Sequence, residues 1–111
     1  MTAKTFLDTE YFKQNDVATT YDSYIGGVTR AISKYIVESY ISKGNSLEGK
    51  VALDNACGTG VASKELLEHS KSVKIEAADF AEPMVEHLKQ YCSQHDAGKQ
   101  VNAQVMDAQV T

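Results

Sequence analysis

The pattern of apolar and polar residues divides the chain into a helical front and a body in which strands and helices alternate. Between Val28 and Ile41, apolar residues recur at steps of three and four, which is the spacing of one helical face. Gly44 and Asn45 then predict the end of this helix. The apolar face consists of Val28, Ala31, Ile32, Tyr35, Ile36 and Tyr40.

The body begins with a short apolar run at residues 51–53, which is typical of a buried parallel strand. Apolar residues alternate with polar ones over residues 73–77 and again over 101–105, and this period of two predicts two more strands. Helices are predicted between the strands, from about Val61 to His69 and from Ala81 to about His95. The order strand, helix, strand, helix, strand predicts a parallel sheet with helices packed on it.

Composition narrows the class of protein without identifying a function. The 111 residues suit a single domain, and 42% of them are hydrophobic. A net charge of -4 gives no basic surface, so nucleic-acid binding is not expected. The sequence has no apolar run long enough to cross a membrane, so no membrane span is expected. It also lacks the apolar core of a secretory signal, so the expected location is cytoplasmic. Cys57 and Cys92 are too few for a disulfide framework and are expected to be reduced.

The segment DNACGTG, residues 54–60, connects the first predicted strand to the helix that follows it. Gly58 and Gly60 allow the backbone to turn sharply and a ligand to approach it closely. The start of the following helix offers unpaired N–H groups and a partial positive charge. The segment is therefore predicted to be a nucleotide-cofactor loop, in which a carboxylate or a pyrophosphate fits equally well.

Acidic residues stand at the end of each predicted strand, namely Asp54, Asp79 and Asp107. In open parallel sheets, ligands bind at the carboxyl edge, where these three side chains are expected to meet. Asp79 can accept hydrogen bonds from both hydroxyls of a ribose, although capping of the next helix is a competing interpretation. Three acids on one edge repel one another unless a cation compensates, so a sulfonium ligand fits better than a pyrophosphate.

Other reactive side chains give weaker signals. Cys57 has no histidine near it in the sequence, so a packed thiol is favoured over a nucleophile. His69, His87 and His95 lack the spacing of zinc ligands and are interpreted as surface residues, so no metal site is predicted. No catalytic residue can be identified from these patterns.

Two cofactor classes compete for the loop. A dinucleotide loop has the pattern Gly-x-Gly-x-x-Gly/Ala, and Ser63 stands at its third position. The alternative pattern is acid-x-Gly-x-Gly-x-Gly, from which residues 54–60 depart only at Ala56. In this respect the segment resembles motif I of the class I methyltransferases that use S-adenosyl-L-methionine (SAM). Residues 78–84 are similar to the second motif of that family, and residues 105–108 are similar to the third.

The N-terminal part adds to the resemblance, because Tyr21 and Asp22 stand shortly before a glycine pair. This segment resembles the one that precedes motif I in small-molecule methyltransferases of the ubiquinone and menaquinone biosynthesis type. The resemblance implies an α/β, Rossmann-like three-layer methyltransferase fold, truncated after the third parallel strand, with N-terminal helices. One of these helices is predicted near residues 9–14. Residues 1–45 would form the N-terminal helical segment, and residues 46–111 a partial SAM-binding Rossmann-like domain.

SAM is the cofactor that the resemblance implies. Asp54 and the backbone of residues 56–60 would hold its methionine part, and Asp79 would bind its ribose hydroxyls. Ala56 adds a methyl group where the family often has glycine, which is expected to weaken SAM binding modestly.

The adenine of SAM would be held by residues that follow the second and third strands. Phe80 and Met84 would pack on its ring, and Asp107 would accept a hydrogen bond from its amino group. Ala108 would line the same pocket, and Tyr21 is a candidate lid residue near the methyl donor. The implied cofactor-binding residues are Tyr21, Asp54, Asn55, Ala56, Cys57, Gly58, Gly60, Asp79, Phe80, Met84, Asp107 and Ala108.

The expected function is SAM-dependent methyl transfer to a small-molecule acceptor, with this chain as the cofactor-binding half. The fold that the resemblance implies has a seven-stranded sheet, in which the strands after the third lie on the other side of the first. Only three strands are predicted here, so residues 51–53 would form an open apolar edge. Such an edge favours a homo-oligomer or a partner chain that covers it. Two alternatives remain open: a non-catalytic SAM-binding or interaction subunit, and an NAD(P)-binding module.

Overall fold

In the computed structural model, residues 26–106 are described. The predicted helix near residues 9–14, the candidate lid residue Tyr21 and the two candidate adenine residues Asp107 and Ala108 lie outside them. The elements, in chain order, are α1 (Gly26–Ser42), β1 (Val51–Asn55), α2 (Val61–His69), β2 (Lys74–Asp79), α3 (Glu82–Gln94), a 3₁₀ helix (Asp96–Gln100) and β3 (Val101–Val105).

The three strands form one parallel sheet in the order β1-β2-β3, as the alternation of strands and helices predicts. Asp54 of β1 lies opposite Ala77, and Asp79 of β2 lies opposite Val105. The carboxyl ends of all three strands therefore meet at one edge of the sheet. Among the described residues, β1 has a neighbour on one side only.

The predicted and observed elements differ at a few ends. β1 continues past the apolar run to Asn55, because Asp54 and Asn55 pair with Ala77 and Ala78 of β2. The 3₁₀ helix between α3 and β3 has no signal in the hydrophobic pattern. Its Gly98 lies so close to α3 that a Cβ atom there would overlap the backbone of Cys92.

The hydrophobic core lies against one face of the sheet. Ile75 and Ala77 of β2 are almost fully buried there, and α1, α2 and α3 each contribute a buried side chain to the same core. These helical core residues are Val37, Leu67 and Leu88.

The opposite face of the sheet is uncovered in the described part of the protein. Leu53 is 79% exposed and Val51 is 64% exposed, whereas Ala52 between them packs against the core. The prediction of a buried strand at residues 51–53 is therefore correct for one face only. The reason is that α1, α2 and α3 all add side chains to the core on the other face.

α1 also buries a different face from the one that its apolar pattern favours. Val37 is buried and Ile41, one turn later, packs beside it, whereas Val28, Ile32 and Tyr35 are exposed. The helix ends as predicted, with Gly44 at a φ of 90°. None of the described helices is long and apolar enough to cross a membrane.

Candidate functional site

The glycine-containing loop, residues 56–60, lies at the carboxyl edge of the sheet between β1 and α2. Its backbone is tied to β2, because the N–H of Cys57 donates to the carbonyl oxygen of Ala78 at 2.9 Å. A second backbone bond, from the N–H of Gly60 to the carbonyl of Cys57 at 2.9 Å, closes the turn. The loop is therefore held in place by the strand beside it and by its own turn.

Three residues of the loop have positive φ angles. Gly58 has a φ of 56° and Gly60 a φ of 88°, conformations that glycine adopts readily. Ala56 has a φ of 58° and is the only non-glycine residue with a positive φ in the described part of the chain. Its Cβ makes this left-handed conformation costly by about 1 kcal/mol or more, so the sequence departs from glycine at a position where glycine fits better.

Asp79 joins the loop to the segment before α3. Its side chain is only 8% exposed, and its Oδ2 atom accepts a hydrogen bond from the N–H of Gly58 at 2.9 Å. Its Oδ1 atom accepts from the N–H of Ala81 at 2.9 Å, one residue before α3 begins. A carboxylate has about four lone-pair sites, so Asp79 can accept further bonds from a ligand. It therefore connects the loop to the start of α3, and its contact with a ribose stays a prediction.

Asp54 lies near Asp79 and shares the same edge. Its Oδ2 atom accepts a hydrogen bond from the Ser63 hydroxyl at 2.6 Å. Burial raises the pKa of the Asp54 carboxyl, Asp79 adds to the increase by repulsion, and the Ser63 hydroxyl and backbone N–H act in the opposite direction. Two carboxyl groups thus lie at one edge of the sheet, and a cationic ligand group would offset their negative charge.

α2 begins directly after the loop and has no side-chain cap. Gly60 precedes its first residue, and no side-chain hydrogen bond is made at that N-cap position. The first N–H groups of a helix lack partners within the helix and carry a partial positive charge. This end of α2 is thus available to the carboxylate of Asp54 and to a polar ligand group.

Gly60 is also required by packing. A Cβ atom at Gly60 would overlap Cδ1 of Leu88, a fully buried residue of α3. The equivalent atom at Gly58 would meet nothing within 4 Å. Gly58 therefore serves the turn, whereas Gly60 in addition lets α3 pack against the loop.

Cys57 is buried in the loop and is not a nucleophile at neutral pH. Burial raises the pKa of its thiol to about 12, and the nearby carboxyls of Asp54 and Asp79 add to the increase. At pH 7 the reactive thiolate fraction of such a group is on the order of 10⁻⁵. The interpretation of Cys57 as a packed thiol is consistent with this environment.

The candidate adenine residues differ in accessibility. Phe80 is partly exposed beside Asp79, so a ring placed at this edge can reach it. Met84 is only 2% exposed, so its contact with a ligand stays a prediction. The N–H of Met106 donates to the carbonyl oxygen of Asp79 at 2.9 Å, which fixes the chain one residue before Asp107 next to the end of β2.

The contact between Ser63 and Asp54 is the part of the site that sequence reasoning missed. Ser63 entered the sequence analysis only as a mismatch to the dinucleotide pattern. Its spacing of nine residues from Asp54 gives no periodic signal, because the two residues lie in a strand and in the helix after it. The sequence signal that could have indicated it is a polar residue in the first turn of the helix that follows a strand ending in an acid.

A large concave region among the described residues lies outside the candidate site. It has a volume of about 380 Å³ and lies on the uncovered face of the sheet. Its lining consists of Leu53, Asn55, Glu76, Ala77, Ala78, Gln104 and Met106. Only Asn55 in this lining belongs to the candidate site. The region is therefore the uncovered surface of the sheet and is not assigned as a cofactor pocket.

Comparisons with known proteins agree with the fold. Residues 52–111 match a family model described as a methyltransferase domain. This match covers β1 from its second residue onward, the loop, Asp79 and β3. No curated protein matches the sequence.

Solved structures that are similar to this chain include a putative S-adenosyl-L-methionine-dependent methyltransferase from Methanococcus maripaludis. It has 20% identity and a TM-score of 0.71, over 96% of this chain and 46% of that one. Magnesium protoporphyrin IX methyltransferase from Synechocystis PCC 6803, solved with bound SAM, has 25% identity and a TM-score of 0.61, over 71% of this chain and 37% of that one.

A third similar structure is phosphoethanolamine N-methyltransferase 1 from Haemonchus contortus, in complex with phosphoethanolamine and S-adenosylhomocysteine. It has 19% identity and a TM-score of 0.66, over 93% of this chain and 21% of that one. This chain therefore spans less than half the length of each of these three proteins.

Proposed function

Because its residues 52–111 match the family model, this chain belongs to the methyltransferase domain family, and we propose that it is the cofactor-binding part of a SAM-dependent methyltransferase. In this proposal residues 46–111 bind SAM and residues 1–45 form an N-terminal helical segment. The protein acts in the cytoplasm. The acceptor is a small molecule, as it is for the similar proteins that methylate magnesium protoporphyrin IX and phosphoethanolamine.

The observation that carries the proposal is the pair of carboxylates at the loop. Asp54 and Asp79 lie close enough for the charge of one to raise the pKa of the other. SAM has a positive sulfonium and a positive ammonium group, which suit such an edge. The pyrophosphate of NAD(P) would add negative charge to it, so the carboxylates favour SAM over the dinucleotide alternative.

Each residue of the site has a specific task in this proposal. Asp79 accepts from the ribose hydroxyls while it stays bonded to Gly58 and Ala81. Asp54 and the loop backbone hold the methionine part, and Phe80 packs against the adenine. The family resemblance supports five further residues that we propose to bind the cofactor, namely Tyr21, Asn55, Met84, Asp107 and Ala108.

Bound SAM supplies an electrophilic methyl group, and the residues of this chain orient it. Alignment of two reactants and exclusion of water account for much of the acceleration in reactions of this kind. The hydrogen bonds of the loop to β2 and the packing of Leu88 on Gly60 serve that alignment, since they fix the backbone proposed to hold the methionine part. No catalytic residue is assigned.

The uncovered sheet supports a second candidate function, an interaction subunit that binds SAM without catalysis. β1 is an edge strand in the described part of the chain, and Leu53 and Val51 project from its bare face. A second copy or a partner chain would cover this edge and face. An assay of methyl transfer from labelled SAM, with and without co-purified chains, separates the subunit from the enzyme.

Calorimetric titration of the purified protein with SAM and with NAD tests the proposed cofactor. We expect heat of binding with SAM and none with NAD. Asp79→Asn should weaken SAM binding by roughly ten- to a hundredfold, because it removes a charged acceptor of the ribose hydroxyls. Glu86→Gln is the matched control, since Glu86 is exposed on α3 away from the loop and should leave the affinity unchanged. Binding of NAD without binding of SAM would refute the proposal.

A further inference from the structure

Ser63 lies beneath the candidate site at a position where its hydroxyl needs a partner. It is the third residue of α2 and has no exposed surface. A buried hydroxyl without a hydrogen bond is unfavourable by about 1 to 3 kcal/mol in proteins. Here the hydroxyl donates to Oδ2 of Asp54 at 2.6 Å, a short bond of the charge-assisted kind.

The size of the residue alone does not explain a serine at this position. Glycine or alanine at the third position of a dinucleotide loop serves close packing of helix and strand. Alanine would meet the same packing demand here and would bury no polar group. The serine hydroxyl therefore has a purpose that goes beyond packing, and its partner is the carboxylate assigned to the methionine part of SAM.

We propose that Ser63 is a positioning residue, which orients the Asp54 carboxylate and keeps it ionised for the cationic methionine part of the cofactor. The inference rests on the proposed function, because it assumes that Asp54 meets SAM. Ser63 itself need not touch the ligand. Its bond occupies Oδ2 and leaves a carboxylate that can accept further hydrogen bonds from an ammonium group.

The charges around Asp54 make its ionisation sensitive to this one bond. Burial and the facing carboxyl of Asp79 both raise the pKa of Asp54, and hydrogen bonding from Ser63 lowers it. The Cys57 thiol also faces this group and is neutral at physiological pH, since its own pKa is raised to about 12. Loss of the Ser63 hydroxyl should therefore raise the pKa of Asp54 further. As the pH is lowered, Asp54 would then be protonated, and SAM affinity lost, at a higher pH than in the natural protein.

Four variants test the proposal: Ser63→Ala, Ser63→Thr, Asp54→Asn and the double variant Ser63→Ala/Asp54→Asn. SAM affinity is measured by calorimetry between pH 5.5 and 8, and the Asp54 carboxyl is titrated by ¹³C NMR in the ligand-free protein. We expect Ser63→Ala to weaken binding about tenfold, which is the contribution of one hydrogen bond to a charged group. Its Asp54 carboxyl should titrate at higher pH, and Ser63→Thr, which keeps the hydroxyl, should restore the natural titration.

The double variant distinguishes positioning from general support of the fold. If Ser63 acts through Asp54, then Ser63→Ala should cause no further loss in the Asp54→Asn background. An equal loss in both backgrounds, or an Asp54 titration that does not change in Ser63→Ala, would overturn the inference. Absence of SAM binding by the natural protein would refute the proposed function instead, and the carboxyl titration would still show whether Ser63 controls the charge of Asp54.

Discussion

At the scale of single residues, Ala56 shows how the loop tolerates a departure from its family pattern. The turn after β1 requires a left-handed backbone at this position, and the chain adopts it at a φ of 58° despite the alanine Cβ. The N–H groups of the next two residues donate hydrogen bonds, from Cys57 to the Ala78 carbonyl and from Gly58 to the Asp79 carboxyl, and these bonds fix the conformation. The strain at Ala56 is therefore compensated by these neighbouring contacts.

We expect Ala56→Gly to stabilise the protein by about 1 kcal/mol, because glycine adopts the left-handed conformation without strain and this gain exceeds its larger chain entropy when unfolded. Chemical denaturation measures the free energy of unfolding. Ala62→Gly in α2 is the control, since the same substitution at a helical φ should destabilise by about 1 kcal/mol. Destabilisation by both substitutions would contradict the strain at Ala56.

At the scale of elements, the contact between the loop and α3 determines how closely that helix approaches the sheet edge. Gly60 has no side chain, so Leu88 of α3 packs directly on the backbone that precedes α2. The same helix begins one residue after Ala81, whose N–H donates to Oδ1 of Asp79. Packing by Leu88 and hydrogen bonding by Asp79 therefore hold the loop and α3 together.

Gly60→Ala should destabilise the protein by about 2 to 4 kcal/mol, which combines backbone strain with overlap of the new methyl group and Leu88. Gly58→Ala isolates the strain, because its φ is also positive and its Cβ would meet nothing within 4 Å. It should cost only about 1 kcal/mol. Thermal and chemical unfolding of both variants give the comparison.

The overlap with Leu88 has its own control. In the double variant Gly60→Ala/Leu88→Ala the methyl group has room, so the loss of stability should be smaller than the sum of the two single losses by about 1 to 3 kcal/mol. Strict additivity would show that Leu88 does not limit the residue at position 60.

At the scale of the whole molecule, the described protein is a sheet with helices on one face. The core contains a residue from each of α1, α2 and α3 and lies on the side of Ile75 and Ala77. The other side presents Leu53 and Val51 of a strand that is an edge strand among the described residues. An apolar edge and face of this kind favours association with another chain. The partner expected from the sequence has a defined surface to cover, and its presence stays a prediction.

We expect the purified protein to associate at micromolar concentrations through this surface. Leu53→Lys should lower the average mass measured by sedimentation, because it places a charge on the edge strand without touching the core. Val28→Lys adds the same charge at an exposed apolar residue of α1 and should leave the mass unchanged. A natural protein that is monomeric throughout, or a Val28→Lys variant that dissociates to the same extent, would contradict the assignment.

The sequence by itself determined the order of the elements and the location of the cofactor loop. α2 and β3 have the predicted ends, because local periodicity and turn residues define them. The parallel sheet, the family and the glycine turn were likewise predicted from motifs whose residues lie close together in the chain. The helices and the glycine turn depend on contacts between near neighbours, which spacing reveals, and the parallel pairing of the strands follows from the alternating order of strands and helices.

Only the tertiary structure decided which faces are buried and how the acids of the site are connected. α1 buries Val37 and leaves its more regular apolar face exposed, and β1 is covered on one side only. The bond of Ser63 to Asp54 and that of Gly58 to Asp79 join different elements, across nine and 21 residues. Such contacts depend on how helices pack on a sheet. The hydrophobic period of a single segment does not specify which other segment packs against it, so these contacts could not be predicted from the sequence.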